Sequence, residues 1–126
     1  MNPMVRRPSA LRTWEKALDL VEQTYKLTRK LPQSEPYELR GELQRAAASI
    51  QANIAEGHCV TDRRKYMDHL STALSALKEL ESQLFLMQLL KYAKEPDMTG
   101  CVSAALDLER TLISLRISLE KNAATS

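Results

Sequence analysis

The chain has 126 residues, of which 44% are apolar and 27% charged, and this composition is typical of one soluble globular domain. No apolar run approaches the ~18 residues needed to cross a bilayer, and no apolar stretch follows the basic start, so we expect neither a membrane span nor a secretory signal. The formal charge of +2 is too near balance to indicate a nucleic-acid binder by itself. Two histidines, two cysteines and no glycine-rich loop argue against most enzymes.

The first predicted helix runs from about Leu11 to Lys30, after residues 1–10, which we expect to be flexible. Two adjacent apolar stripes run along this helix, with their residues at helical spacing. The first stripe has the spacing of one helical face and comprises Trp14, Leu18, Val21 and Tyr25. The second adds further apolar surface beside it and comprises Leu20, Leu27 and Leu31.

The second predicted helix follows a connection with two prolines, Pro32 and Pro36. Ser34 is its predicted N-cap, and Pro36 is tolerated in its first turn. Gly57 comes where a helix commonly ends on a left-handed residue. The apolar positions predicted to face the core are Leu39, Leu43, Ala46, Ala47, Ile50 and Ile54.

The third helix is predicted to start at Thr61 or Asp62 and to end at Glu95-Pro96-Asp97. Its apolar seam alternates steps of four and three, as coiled-coil-like packing requires, through Tyr66, Leu70, Ala73, Leu77, Leu80, Leu84 and Met87. Gly100 is predicted to fray the start of the fourth helix, which continues to about Lys121 and leaves 122–126 as a flexible tail.

Short connections between four helices of similar length predict an all-α, antiparallel up-down-up-down four-helix bundle over residues 11–121. In that topology Cys59 and Cys101 lie at opposite ends of the bundle, so we expect two free thiols in a reducing cytosol. His58 and His69 lack a recognised metal-ligand spacing and are interpreted as ordinary loop and surface residues.

The fourth helix carries more apolar surface than one core-facing stripe needs. Its first apolar face is Ala105, Leu108, Leu112, Leu115 and Leu119, and its second is Val102, Leu106, Ile113 and Ile117. Glu109 and Arg116 lie on a line between the two faces, and we hypothesise that they form an ion pair within or between subunits. An ordered second apolar face is typical of a contact surface and predicts homo-oligomerisation.

A polar stripe beside the core face of the second helix uses short hydrogen-bonding groups next to small alanines. It includes Arg45, Ser49, Asn53 and Glu56, and it ends at Gly57. The segment Arg45-Ala46-Ala47-Ala48-Ser49-Ile50-Gln51-Ala52-Asn53-Ile54-Ala55-Glu56-Gly57 resembles the signature of a bacterial four-helix-bundle family. That family is associated with intervening sequences of large-subunit ribosomal RNA genes, and some members are labelled S23-type ribosomal proteins.

The resemblance extends over about residues 11–92. The first helix contributes Trp14-Glu15-Lys16-Ala17 with Tyr25 and Leu31-Pro32, and the third contributes Leu77-Lys78-Glu79-Leu80-Glu81 with Gln83-Leu84. Glu42 and Ser75-Ala76 depart from the residues common in the family, and the fourth helix matches only in pattern. The resemblance implies a small cytosolic protein that forms a ring of five bundles, a homopentamer, without known enzymatic activity.

Three functions are compatible with the sequence. A non-enzymatic assembly protein could contact RNA through basic residues that converge at one end of the bundle, although these could equally be solubilising charges. They are Arg6, Arg7, Arg12, Arg63, Arg64 and Lys65. A metal protein or enzyme is disfavoured because no Glu-x-x-His occurs, so we expect no cofactor, metal or small-molecule substrate. The alternative is an adaptor that presents a helical surface to a partner protein.

Overall fold

A computed structural model describes the backbone of residues 8–34 and 38–125 and the side chains of 10–34 and 38–122. Arg6, Arg7 and Pro36 therefore lie outside the described residues. The regular structure of the described ranges consists of four helices: α1 (Pro8–Thr28), α2 (Leu39–Cys59), α3 (Arg63–Leu89) and α4 (Glu95–Thr125). The all-α prediction is confirmed, and α1 and α4 extend a few residues beyond their predicted outer limits.

The four helices enclose one apolar core in which each helix contacts two others. α1 packs against α2 and α4, and α3 packs against the same two helices. This ring of contacts is that of a four-helix bundle. Hydrogen bonds outside the core tie neighbouring helices together; Trp14 Nε1 donates to Gln51 Oε1 (3.0 Å), and Gln83 Nε2 donates to Glu42 Oε2 (3.2 Å).

The two apolar stripes of α1 differ in exposure, and the second one forms the core. Leu20, Leu27 and Leu31 are buried, whereas Leu18 and Tyr25 each remain 38% exposed and Trp14 and Val21 are half-buried. The core face of α1 also includes three threonines, Thr13, Thr24 and Thr28. Thr24 Oγ1 donates to the Leu20 carbonyl (2.7 Å) and Thr28 Oγ1 to the Tyr25 carbonyl (3.1 Å), so both hydroxyls are satisfied within the helix.

The predicted core positions of α2 are confirmed, but both predicted ends of this helix are wrong. The N-cap is Glu38, in a left-handed conformation (φ 52°), and the helix begins five residues after Ser34. At the other end Gly57 lies inside the helix with no positive φ, because α2 continues to Cys59. Gly57 is instead a point of close approach, since a Cβ there would lie 3.1 Å from His69 Cβ and from Tyr66 Cδ1.

Asp62 is the N-cap of α3, as predicted, and its side chain accepts a hydrogen bond from the Arg64 amide (2.9 Å). The whole predicted seam of α3 is buried. The end of α3 was predicted incorrectly. The helix stops at Leu89, and Glu95-Pro96-Asp97 forms the first turn of α4, which also places Gly100 inside that helix.

Two further properties concern the hydropathy of the helices and the state of the cysteines. No described helix is both long enough and apolar enough to cross a membrane. Cys59 and Cys101 are free thiols, the first exposed and the second buried against Thr24, with 3.5 Å between Cys101 Sγ and Thr24 Oγ1.

Candidate functional site

Most of the exposed apolar surface lies on one side of the bundle. Among the described residues, six of the eight large apolar side chains that remain exposed belong to α3 and α4: Phe85, Leu89, Val102, Leu106, Ile113 and Ile117. We call this set the α3–α4 apolar face. Phe85 (68% exposed) and Leu89 (66%) are the most open members. Phe85, Val102 and Leu106 line one groove of about 230 Å³, so residues of both helices form a continuous surface.

The four residues of the second apolar face of α4 are exposed, and α3 adds two further exposed apolar residues. Sequence reasoning missed Leu89, which lies inside the predicted third helix but outside its apolar seam.

A cluster of charged side chains lies beside this face, with a different pairing from the one hypothesised. Lys78 Nζ on α3 pairs with Glu109 Oε1 on α4 and lies 3.6 Å from Glu81 Oε2. Arg116 Nε lies 3.8 Å from Glu120 Oε1. The hypothesis of a Glu109–Arg116 ion pair within one subunit is thus incorrect, since Lys78 on the facing helix is the cation beside Glu109.

The pKa values of the two carboxylates near Lys78 are shifted in opposite directions. The hydrogen bond from Lys78 lowers the pKa of Glu109, with burial opposing it. Burial, followed by the neighbouring Glu109 carboxylate, raises the pKa of Glu81. The Glu109 hydrogen bond, aided by the charge of Glu81, raises the pKa of Lys78. One ammonium therefore holds Glu109 ionised and leaves Glu81 the carboxyl that protonates first.

The polar motif of α2 forms a junction with α3. Asn53 Nδ2 donates to the Ser49 carbonyl (2.9 Å), and Asn53 Oδ1 accepts from His69 Nδ1 (3.1 Å). Glu56 Oε2 lies 3.8 Å from the same His69 nitrogen. Beside them Gly57 allows α3 to approach closely. These members of the motif hold two helices together, and their place in the bundle is structural.

Arg45 has a different environment from the other motif residues. Its Nη1 donates to Glu42 Oε1 (3.2 Å) one turn earlier on α2, and Glu42 in turn accepts from Gln83 on α3. The Arg45 side chain remains exposed.

The four described residues of the basic set predicted to contact RNA are exposed, and they lie on two different helices. Arg63, Arg64 and Lys65 open α3, whereas Arg12 lies on α1 and lines a groove between α1 and α4. This groove has a volume of about 700 Å³ and is lined by Arg12, Thr13, Lys16, Arg110, Thr111, Ser114, Leu115 and Ser118. We call it the α1–α4 groove.

Sequence reasoning missed the α1–α4 groove. The available signal was the polar side of α4, where Arg110, Ser114 and Ser118 recur every fourth residue. Only the pairing of α4 with α1 shows that Arg12 and Lys16 join them.

The described side chains contain no group of three or more histidine, cysteine, aspartate or glutamate residues arranged to hold a metal ion. His58 and His69 are instead engaged by neighbouring side chains. The His58 ring packs edge-on against Tyr66, with 4.9 Å between ring centroids, and His69 is hydrogen-bonded to Asn53.

Comparison with known proteins agrees with the resemblance noted in the sequence. The crystal structure of a protein of unknown function from the S23 ribosomal protein family of Bacteroides thetaiotaomicron VPI-5482 has a TM-score of 0.78 to this chain, at 21% identity. The alignment covers 86% of this chain and 97% of that one, and at this identity it shows the fold alone. No curated protein matches the sequence. A family model described as 23S rRNA-intervening sequence protein matches residues 9–114, and the chain belongs to that family.

Proposed function

We propose that the chain is a non-enzymatic, cytoplasmic assembly protein. In this proposal its antiparallel up-down-up-down bundles form a cyclic homo-oligomer that associates with structured RNA. The order of interhelical contacts supports the antiparallel arrangement. Lys30, just after α1, bonds Asp97 (2.8 Å), whereas Lys16, early in α1, bonds Asp107, farther along α4 (3.3 Å). The count of five subunits rests on the family resemblance alone.

The α3–α4 apolar face carries the proposal of self-assembly. Contiguous exposed apolar surface on a soluble protein usually marks a contact site. Phe85 and Leu89 are about two-thirds exposed, and burying one such side chain is worth roughly 1.5–3 kcal/mol. A second copy of the chain covers this face in our proposal, because the charges beside it have both signs and can pair with those of an identical surface.

Arg116 supports an interface at the same place. Its Nε is buried yet has no hydrogen-bond partner, because Glu120 Oε1 at 3.8 Å is too far away to accept one, and a buried polar group normally has a partner. The side chain lines a groove with Ile113 and Glu109. We propose that Arg116 gains a carboxylate from a neighbouring subunit, with Glu109 of that subunit as the simplest candidate.

The mass of the native particle tests the assembly. By light scattering at micromolar concentration we expect a multiple of 14.3 kDa for the wild-type chain, fivefold if the ring has five members. Leu106→Lys places a charge on the α3–α4 apolar face and should lower the mass to that of one subunit. Leu18→Lys is the matched control, because Leu18 is similarly exposed but lies on α1. A single-subunit mass for the wild type, or equal loss of assembly in both variants, contradicts the assignment.

Association with RNA is supported by the exposed basic residues, which a ring would repeat once per subunit. Few aromatic residues lie near the basic residues that open α3, so base stacking should contribute little. Binding should depend instead on the shape of the RNA and on its backbone phosphates. We expect affinity for a structured RNA hairpin that falls steeply as salt rises from about 50 to 200 mM. Absence of binding at low ionic strength contradicts this part. If the oligomer does not bind RNA but co-purifies with a stoichiometric partner protein, the alternative function as a protein–protein adaptor is favoured.

A further inference from the structure

The α1–α4 groove has the composition of an anion site. Three of its eight lining residues are cationic and four carry hydroxyl groups, contributed by two helices: Arg12, Lys16 and Arg110, with Thr13, Thr111, Ser114 and Ser118. No described carboxylate lines it. Guanidinium and hydroxyl donors in one groove favour a ligand rich in acceptor oxygens.

The three cations differ in how far they are already neutralised. Lys16 Nζ pairs with Asp107 Oδ1 (3.3 Å) and donates to Thr111 Oγ1 (2.9 Å), so its position is fixed from within the bundle. Arg12 and Arg110 form no ion pair with any described residue, although both line the same groove. Two unneutralised guanidiniums beside a fixed ammonium are positioned for a multivalent anion.

Serine hydroxyl groups continue along α4 from the cationic side chain of Arg110. Arg110, Ser114 and Ser118 are spaced by four residues, so they follow one face of the helix at intervals of about 6 Å. Thr111 Oγ1 accepts from Lys16 and donates to the Asp107 carbonyl (3.0 Å), which fixes this hydroxyl beside the row. The groove thus presents a row of donors along its length.

The lining also disfavours other ligand classes. Leu115 is the only large apolar side chain among the described residues of the groove, so an apolar ligand would find little surface to bury. None of the lining residues is aromatic, so bases have nothing on which to stack. The charged residues among the described lining are all cationic, which disfavours a metal cation.

We infer that the α1–α4 groove binds phosphate groups, with the Arg12 and Arg110 guanidiniums as the principal contacts. The inference deepens the proposed association with RNA by naming a surface along the side of the bundle, in addition to the basic residues that open α3. Phosphate oxygens accept the bidentate hydrogen bonds that guanidinium groups offer, and the Ser114 and Ser118 hydroxyls can donate to the remaining oxygens. The phosphates can come from an RNA backbone or from a small phosphoanhydride, and the two sources are separable by experiment.

The test compares two double variants that remove the same charge. Arg12→Gln with Arg110→Gln alters the groove, whereas Arg29→Gln with Lys94→Gln alters exposed residues outside it. Affinity for a fluorescein-labelled RNA hairpin is measured by anisotropy across a salt series, and pyrophosphate binding is measured by calorimetry. Circular dichroism confirms that each variant is folded. We expect the groove variant to bind RNA roughly 10-fold more weakly, with a salt slope shallower by about 1 to 2. The control should behave as the wild type.

The outcomes separate this inference from the broader proposal. If RNA binding survives in the groove variant and pyrophosphate does not bind the wild type, the groove inference is overturned while the association with RNA stands. If the wild type binds pyrophosphate through Arg12 and Arg110 but no RNA, the groove is a small-anion site and the proposed association with RNA fails. If neither ligand binds, or if the control weakens binding as much as the groove variant, the groove inference is wrong.

Discussion

Lys78 on α3 is paired with Glu109 on α4, beside Ile113 of the α3–α4 apolar face. The same ammonium lies 3.6 Å from Glu81, so two carboxylates share one cation. Glu81 Oε1 is buried and has no hydrogen-bond partner. Burial, followed by the neighbouring Glu109 carboxylate, raises the pKa of Glu81, and the charge of Lys78 only partly offsets this.

The first prediction is that Glu81→Gln stabilises the protein at neutral pH. A raised native pKa means that protonation of Glu81 stabilises the fold below its unfolded pKa and that this contribution is lost as pH rises through the native value. The neutral amide removes the resulting cost at pH 7, and we expect a gain of about 1 kcal/mol in the free energy of unfolding. Urea denaturation at fixed protein concentration, at pH 7 and near pH 4, measures it.

The gain should shrink towards zero at the lower pH, where the wild-type carboxyl is itself protonated. Glu79→Gln is the matched control, since Glu79 is an exposed glutamate on the same helix, and its effect should stay within about 0.5 kcal/mol. If the effect of Glu81→Gln is absent at pH 7, or equal at both pH values, the prediction that Glu81 has a raised pKa in the folded protein is wrong.

The second prediction concerns the close approach of α3 to α2 at Gly57. Alanine is favoured over glycine inside a helix by about 1 kcal/mol, but a Cβ here meets His69 Cβ and Tyr66 Cδ1 at 3.1 Å. Relieving that crowding requires the two helices to move apart, so we expect Gly57→Ala to destabilise the bundle by about 1 kcal/mol. Thermal and urea denaturation at one protein concentration measure the change.

Gly41→Ala is the control, because it lies in the same helix with only the flexible Arg45 Nη2 nearby, at 3.9 Å. We expect it to stabilise by about 0.5–1 kcal/mol through helix propensity alone. Equal effects of the two alanines would show that Gly57 does not mediate close packing.

The core of α1 shows why an apolar pattern can be assigned to the wrong face. Threonine counts as polar in a periodicity search, yet Thr24 is fully buried because its hydroxyl bonds the Leu20 carbonyl and leaves its methyl group to the core. With threonines omitted, the stripe through Trp14 looks more complete than the true core stripe. Helices α2 and α3 have uninterrupted apolar seams, and their core positions were predicted correctly.

Helix ends and interhelical sites were less predictable, for a different physical reason. Pro96 occupies the first turn of α4, where its missing N–H costs nothing, so the same residue is compatible with ending one helix or beginning another. The pairing of Glu109 with Lys78, and the joining of Arg12 to Arg110, depend on how helices rotate against each other. Local spacing contains no information on that rotation.

The third prediction distinguishes the two thiols. Cys101 is 1% exposed, and burial raises the pKa of its thiol, whereas Cys59 is exposed at the end of α2. We expect one thiol per chain to react rapidly with a disulfide reagent in the native protein and two after denaturation. Cys59→Ser should leave no fast-reacting thiol. Equal native reaction rates for the two cysteines would contradict the burial of Cys101.

The fourth prediction concerns the end of α3, which closes without a glycine. Lys91 is in the left-handed region (φ 59°), and two hydrogen bonds complete a Schellman motif: Lys91 N donates to the Gln88 carbonyl (3.1 Å) and Tyr92 N to the Met87 carbonyl (3.0 Å). A residue with a Cβ is strained there by roughly 1–2 kcal/mol. Lys91→Gly relieves this strain but gains freedom in the unfolded chain, so we expect a net stabilisation of about 0.5–1 kcal/mol.

The control is Lys91→Ala, which removes the same charge and keeps the Cβ. It should change the free energy of unfolding by less than about 0.5 kcal/mol, because the conformational strain remains. Urea denaturation of both variants at one protein concentration separates the contribution of the backbone from that of the charge. If glycine and alanine stabilise the protein equally, the effect comes from loss of the lysine charge. If glycine lowers the stability, the left-handed conformation at Lys91 is not a source of strain.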